Sequence, residues 1–215
     1  MTHEHHQIEP ETPGIVIGNT TPKYTSKNPA IRWLTDRWVA NLEQAFDRIG
    51  RDPHGAPKRA LEVGCGEGVI AGKLFARFDE VVALDLPDAG LRRDWKGYDG
   101  PRFLHADAHS LPFEDKQFDL VVAVEVLEHL TDPVKGLQEM ARVGRRHLVV
   151  SVPREPIFRG CNLVALRYVA DLGNTPGHLN HWSKRGFAKF VSTVADVREV
   201  TSPFPWTTLW ATLRD

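Results

Sequence analysis

Cysteine is scarce in this 215-residue chain. Only Cys65 and Cys161 occur, neither in a Cys-x-x-Cys pair, so a disulfide scaffold is excluded and both thiols are expected to be reduced and structural. An excess of charge of one sign is missing as well: 27 Lys and Arg against 28 Asp and Glu leave a formal charge of −1. That balance lacks the basic footprint of a protein built on phosphate backbones and argues against nucleic acid as the partner. No apolar run approaches the roughly 20 residues that span a bilayer, and the first residues lack the apolar core of a secretory signal. The expectation is a cytoplasmic protein with no membrane span.

What is present is ordinary globular composition, 41% hydrophobic and 26% charged. A chain of this length buries roughly 70% of its unfolded surface around one core, so a single domain is expected. Residues 1–27 are polar and without periodicity and read as a mobile arm, in which His3, His5 and His6 are solvated tail residues. Asn28 followed by Pro29 reads as a helix cap and first turn. Ile31, Leu34, Trp38, Leu42, Ala45 and Ile49 then recur at helical spacing up to Gly50.

Beyond a Pro- and Gly-containing connection, short apolar runs alternate with helical stretches. Strands are expected at 60–63, 81–85, 102–106, 118–124 and 147–152, with helices at 67–78 and 132–143. Such alternation predicts an open, mostly parallel sheet with helices on both faces. Residues 157–172 read as one strongly apolar helix and 184–195 as another, capped by Ser183. The runs at 197–201 and 206–213 are too close for a parallel crossover and must pair antiparallel. The predicted fold is therefore α/β: seven strands, mostly parallel, with an antiparallel last strand.

Strand 60–63 runs into Gly64-Cys65-Gly66-Glu67-Gly68 and then a helix. A strand–glycine loop–helix unit lets backbone approach a ligand closely and points helix N–H groups at it. A dinucleotide fingerprint would place its third glycine at position 69, which is Val69, and this counts against a nicotinamide oxidoreductase. Asp85 closes the next strand, where a carboxylate can accept both hydroxyls of a ribose. Asp107 and Ala108 end the third strand, within reach of an exocyclic amine, and Leu86 and Leu111 suit the faces of an adenine ring.

These residues, together with the stretch from Asp107 to Phe113 and the run Phe118-Asp119-Leu120-Val121-Val122, closely resemble the class I S-adenosylmethionine-dependent methyltransferases. The likeness covers residues 28–213, with every motif in the family's order. It implies a Rossmann-like fold and S-adenosyl-L-methionine as cofactor, released as S-adenosyl-L-homocysteine. Gly64, Cys65, Gly66 and Gly68 would pass under the methionine moiety, with Glu62 orienting the loop or meeting the amino group. Asp85 would bind the ribose, Leu86, Asp107 and Ala108 the adenine, and Val124 would close the fourth strand against the cofactor. Lys23 or Tyr24 would fold over it.

In relatives the segment after the fourth strand, here Glu125 to Pro133, lies beside the transferred methyl. His129 and Glu125 are therefore the candidate catalytic residues, His129 either as a base or as a loop anchor. Glu125, Glu128 and His129 also sit at one-turn spacing, where all three can face one point, and resemble a Glu-x-x-Glu-His signature of divalent-metal methyltransferases, with His178 or His181 as a fourth ligand. The metal is the less favoured alternative, because metal-free relatives carry a similar run. Residues 153–182 occupy the place of an acceptor lid. Their apolar helix is either buried against the sheet with Trp33 and Trp38, or exposed as a lid or dimer surface. The expected reaction is O-methylation of a small or lipid-linked molecule: a quinone precursor, a sugar hydroxyl or a polyketide. Ribose 2′-O-methylation of RNA and a non-catalytic cofactor-binding module are the alternatives, and a homodimer goes with the exposed reading of that helix.

Overall fold

The computed structural model describes residues 23–51, 58–87, 95–96 and 98–214. The expected arm, apart from its residues 23–27, lies outside them, as do His3, His5 and His6. Helix α1 spans Pro29–Ile49; the Asn28 side chain accepts hydrogen bonds from the Ala30 and Ile31 amides, so the expected cap is in place. Trp38, Leu42, Phe46 and Ile49 form its buried stripe.

Strands β1 (Arg59–Val63), β2 (Glu80–Asp85), β3 (Arg102–His105), β4 (Phe118–Val124), β5 (Gly144–Pro153), β6 (Ala195–Thr201) and β7 (Trp206–Leu213) form one sheet in the order β3-β2-β1-β4-β5-β7-β6. All pairings among β1 to β5 are parallel, and β7 runs antiparallel to both β5 and β6. Every residue of β4 is buried, because helices cover both faces of a central parallel strand. Its side chains alternate between the two layers. Val121 and Ala123 pack with Leu137 and Met140 of α3 (Pro133–Val143) and Phe187 of α5 (Lys184–Val191). Leu120 and Val122 pack with Trp38, Leu42 and Phe46 of α1 and Leu74 of α2 (Val69–Phe75). The C-terminal ends of β1, β2, β3 and β4 thereby open side by side, where open α/β sheets bind their ligands.

Several boundaries differ from expectation for local reasons. Helix α2 starts at Val69 rather than 67 because its cap, Gly68, is left-handed with φ 85°, and it stops at Phe75. Helix α5 stops at Val191, since Ala195 already belongs to β6. Strand β5 is longer than 147–152 at both ends because β4 and β7 pair along its length. The single helix expected over 157–172 ends at Val164 as α4 (Ile157–Val164). Beyond it Leu166, Tyr168 and Leu172 adopt φ of 54°, 53° and 50°, left-handed conformations that no α-helix accommodates. Phe158 is half-buried against the cluster of Trp38 and Trp206, but the residues beyond it are not packed there: Val164 is 88% and Leu166 83% exposed, and Trp33 is itself exposed. Trp38 stacks instead on Trp206 of β7, ring centroids 4.6 Å apart. Among the described residues no helix is long and apolar enough to cross a membrane.

The stripe on α1 is what fastens that helix to the sheet. Leu42→Ala, at a fully buried position, is expected to cost about 2–5 kcal/mol of unfolding free energy in urea titrations, as core Leu→Ala truncations do.

Candidate active site

The glycine loop leaves β1 through three left-handed residues, Gly64, Gly66 and Gly68, with φ of 71°, 49° and 85°. A Cβ on Gly64 would stand 2.3 Å from a methyl of Val126, so the loop passes against the β4 exit only because that position carries no side chain. Asp85 at the end of β2 fixes the other side: its carboxylate accepts from the Gly66 amide and from the Leu86 amide, each at 2.7 Å. The Gly66 carbonyl accepts from the indole N–H of Trp95 at 2.8 Å. Trp95 stacks on Phe103 and lies 4.8 Å from the ring of His105, so an aromatic wall rises beside the loop.

Beneath the loop Glu62 is 2% exposed, and one of its carboxyl oxygens has no hydrogen-bond partner. Burial, followed by the charge of Asp85, pushes its pKa well above the usual range, against the pull of the Ala71 amide. Cys65 is buried and its thiol pushed up, first by burial and then by Glu62 and Asp85, so it is an inert filler of the loop. At the end of β3, Ala108 and Leu111 are buried. Asp107 accepts from both the amide and the ring of His109, at 2.8 and 2.7 Å. Burial would raise its pKa, but these bonds outweigh it and hold the carboxyl below the ordinary value. In this arrangement Asp107 serves its own turn.

The β4 exit is not one helical turn. Glu125 is left-handed, with φ 57°, and only Leu127–His129 form a short 3₁₀ helix. Glu125 and Glu128 therefore do not share a face as their spacing suggests. Glu125 pairs with Lys23 and accepts from the Trp206 indole N–H at 2.5 Å. The Lys23 ammonium also lies 4.9 Å above the Trp38 ring and 5.3 Å above the Tyr24 ring. Burial lowers its pKa to about 8, with Glu128 and Glu67 opposing, so it stays charged at neutral pH. The last residues of the expected arm are thus pinned over the β4 exit. Tyr24 stacks on Trp38 and has its hydroxyl pKa pushed up by burial.

Glu128, His129 and His178 come together instead, with one ligand atom of each within 4.8 Å of the others. The loop carrying His178 is tied down by the Glu128 carbonyl, which accepts from the amides of Leu179 and Asn180, and by the Asn180 side chain on the Leu130 carbonyl at 2.7 Å. Both carboxyl oxygens of Glu128 are buried without partners, and burial raises its pKa to about 8. The His129 Nδ1 donates to the Gly177 carbonyl at 2.9 Å, which leaves Nε2 as the basic nitrogen. Burial lowers the pKa of His129 and takes that of His178 down to about 3, so both rings are neutral at pH 7. The arrangement can accept a proton at His129. The three donors could also hold a cation, though without Glu125. His181 is engaged elsewhere, on Asn174 at 2.7 Å.

Sequence reasoning missed Trp95 and Trp206. Both are indoles whose N–H closes a site contact, and neither position stands out by spacing.

Residues 61–149 match the family described as a methyltransferase domain. A probable S-adenosylmethionine-dependent methyltransferase of Mycobacterium tuberculosis is 28% identical over 162 residues, which are 69% of this chain and 58% of that one. A demethylmenaquinone methyltransferase of Clavibacter sepedonicus is 38% identical over 112 residues, 48% of this chain and 46% of its own length. The chain thus spans about half of these relatives. The crystal structure of magnesium protoporphyrin IX methyltransferase from Synechocystis with bound S-adenosylhomocysteine superposes with a TM-score of 0.65 at 17% identity, over 89% of this chain and 91% of that one, which shows the fold.

The raised Glu128 pKa has a stability consequence. Between its ordinary value of 4.5 and about 8, the folded protein keeps a proton that the unfolded chain releases, so this group's contribution falls as pH rises through that window. His178 acts with the opposite sign below 6.5 and Lys23 above about 8; between them the raised Glu62 carboxyl acts with the same sign as Glu128, and comparison of Glu128→Gln with wild type isolates the Glu128 part. Glu128→Gln is therefore expected to gain stability over wild type progressively from pH 6.5 to 8 in urea titrations. A difference that stays constant with pH would contradict the buried, protonated carboxyl.

Proposed function

We propose that this chain, whose residues 61–149 match a methyltransferase domain and whose fold is that of solved methyltransferases, is a class I enzyme that binds S-adenosyl-L-methionine and O-methylates a small or lipid-linked acceptor. The observation that carries the reading is His129: a neutral imidazole with Nδ1 anchored on the Gly177 carbonyl and Nε2 left basic, three residues beyond Val126, which packs against Gly64 of the glycine loop. An amine acceptor needs little help from a base, whereas a hydroxyl must lose its proton as it attacks.

The residues present suit the cofactor. Gly64, Gly66 and Gly68 supply bare backbone along the loop; Asp85, which braces it, would bind the ribose, and Leu86, Asp107 and Ala108 would meet the adenine, as the family resemblance implies. Glu62, with its orphan oxygen, and Val124, buried at the β4 end, complete the methionine side. When bound, the cofactor supplies an electrophilic methyl on a sulfonium and leaves as S-adenosyl-L-homocysteine. His129 takes the acceptor's hydroxyl proton at Nε2 while the oxygen attacks in line. Glu125, Lys23 and the stacked Trp38 and Trp206 close the site from the N-terminal side and exclude water.

A quinone precursor is the acceptor class we favour, because a relative from Ruegeria, 30% identical over 130 residues, is named a ubiquinone biosynthesis O-methyltransferase and the 157–172 segment is apolar. A divalent ion on Glu128, His129 and His178 is the second reading, favoured by their mutual approach within 4.8 Å. It lacks the expected fourth ligand, since Glu125 faces Lys23.

The test is transfer of labelled methyl from S-adenosyl-L-methionine into fractionated extract of the source cell. Label is expected in the organic-solvent phase, unchanged by chelators, and His129→Gln is expected to lower the rate by about 10²–10⁴ with cofactor binding intact. Label in RNA, or none in any fraction while the cofactor binds, would overturn the proposal. Loss of turnover on chelation with recovery on Mg²⁺ or Mn²⁺ would move the deprotonating role to a metal.

A further inference from the structure

The large apolar side chains that this protein exposes are not scattered. Of the ten that stand out among the described residues, Leu163, Val164, Leu166, Val169 and Leu172 fall within ten consecutive residues, and Val164, Leu166 and Leu172 are 88%, 83% and 68% exposed. Single exposed hydrophobics are normal, but a contiguous group marks a surface that meets something apolar. The group is also built rather than frayed. The Leu172 carbonyl accepts from Arg159 Nε, the Asn162 side chain donates to the Gly173 carbonyl at 2.9 Å, and the Gly173 amide donates to the Tyr168 carbonyl at 2.8 Å. These bonds close residues 159–173 into a loop with an apolar tip.

Charge decides what the tip meets. Residues 153–185 hold Arg154, Arg159, Arg167, Lys184 and Arg185 against Glu155 and Asp171, a local balance of +3 in a chain whose total is −1. The Trp182 carbonyl accepts from the Glu155 amide, which brings the start of α5, with Lys184 and Arg185, to the base of the same loop. Arg167 lies over the ring of Tyr168, 5.4 Å from its centroid, so the tip carries a cation and an aromatic beside its aliphatic residues. A second copy of the chain would have to set this positive segment against itself in a two-fold contact, with like charges opposed. RNA would meet exposed Val and Leu where it needs cations.

We propose that the 159–173 loop is a docking face for an anionic membrane surface. Val164, Leu166, Val169 and Leu172 enter the boundary between headgroups and acyl chains, about 5–10 Å deep as interfacial segments do, and the basic residues meet lipid phosphates. The other side of the loop opens on the candidate site: Phe158 of α4 lies 5.8 Å from the His178 ring and 6.4 Å from Trp206. Docking there sets the site against the bilayer, where a lipid-linked acceptor resides. The docking itself does not rest on the proposed reaction, and its test reads binding alone.

The experiment is co-sedimentation of the full chain with vesicles of phosphatidylcholine alone and of two parts phosphatidylcholine to one part phosphatidylglycerol. Wild type is expected to pellet with the anionic vesicles, and less so as NaCl rises from about 0.1 M to about 1 M and the Debye length shrinks from about 10 Å to about 3 Å. The double variant Val164→Asp, Leu166→Asp is expected to lose at least tenfold in vesicle affinity with unchanged melting temperature, because both side chains are solvent-exposed. Arg167→Gln is expected to weaken binding to the anionic vesicles only. Wild type staying in the supernatant with both vesicles, or a double variant that pellets like wild type, would overturn the proposal. A concentration-dependent dimer in light scattering that the double variant disperses, without vesicle binding, would assign the face to a second copy. An Arg167-dependent shift of mixed-sequence RNA, again without vesicle binding, would assign it to RNA.

Discussion

The carboxylate of Asp85 ties together two pieces of chain that would otherwise be independent. By accepting from the Gly66 amide and the Leu86 amide, both at 2.7 Å, it joins the glycine loop of β1 to the end of β2. Charge-assisted hydrogen bonds of this length are the strong ones, and here they restrain a loop whose three left-handed glycines give it no stiffness of its own. Everything proposed for the cofactor side follows from that restraint: a bare backbone track, an acidic group at its edge, and the Trp95 indole holding the Gly66 carbonyl from the far side.

The acceptor side is governed by burial. Glu128 and His178 are both sealed from water, and burial drives each toward its neutral form, the carboxyl up to about 8 and the imidazole down to about 3. Lys23 and Glu125 form an ion pair at the β4 exit, and it closes the N-terminal segment over the site between Tyr24, Trp38 and Trp206. The neutral surroundings of His129 Nε2 fit the proposed removal of a proton from an apolar acceptor's hydroxyl. They suit a polyanionic acceptor poorly.

Where burial and period coincide, the fold was legible in the sequence. Strand 118–124 is apolar at nearly every position because both its faces are covered, and α1 announced itself through Asn28, Pro29 and a stripe at three- and four-residue spacing. Chain direction followed from loop length alone for β6 and β7. Legibility failed where backbone leaves the standard wells. Gly68 delays α2, the left-handed Glu125 turns its carboxylate toward Lys23 instead of Glu128, and Leu166, Tyr168 and Leu172 break what apolar content alone reads as one long buried helix. Long-range contacts failed too. Nothing local tells that Trp206 donates to Glu125 across 81 positions, or that His178 rather than His181 joins His129.

The central claim is that the Asp85-braced glycine loop is an S-adenosylmethionine site, and calorimetric titration tests it most directly. Wild type is expected to bind S-adenosyl-L-methionine and S-adenosyl-L-homocysteine with one-to-one stoichiometry. Asp85→Ala should bind both at least tenfold more weakly, as the loss of even one charge-assisted hydrogen bond of about 1.5–3 kcal/mol requires. Equal affinity of wild type and Asp85→Ala would place the cofactor elsewhere and contradict the account.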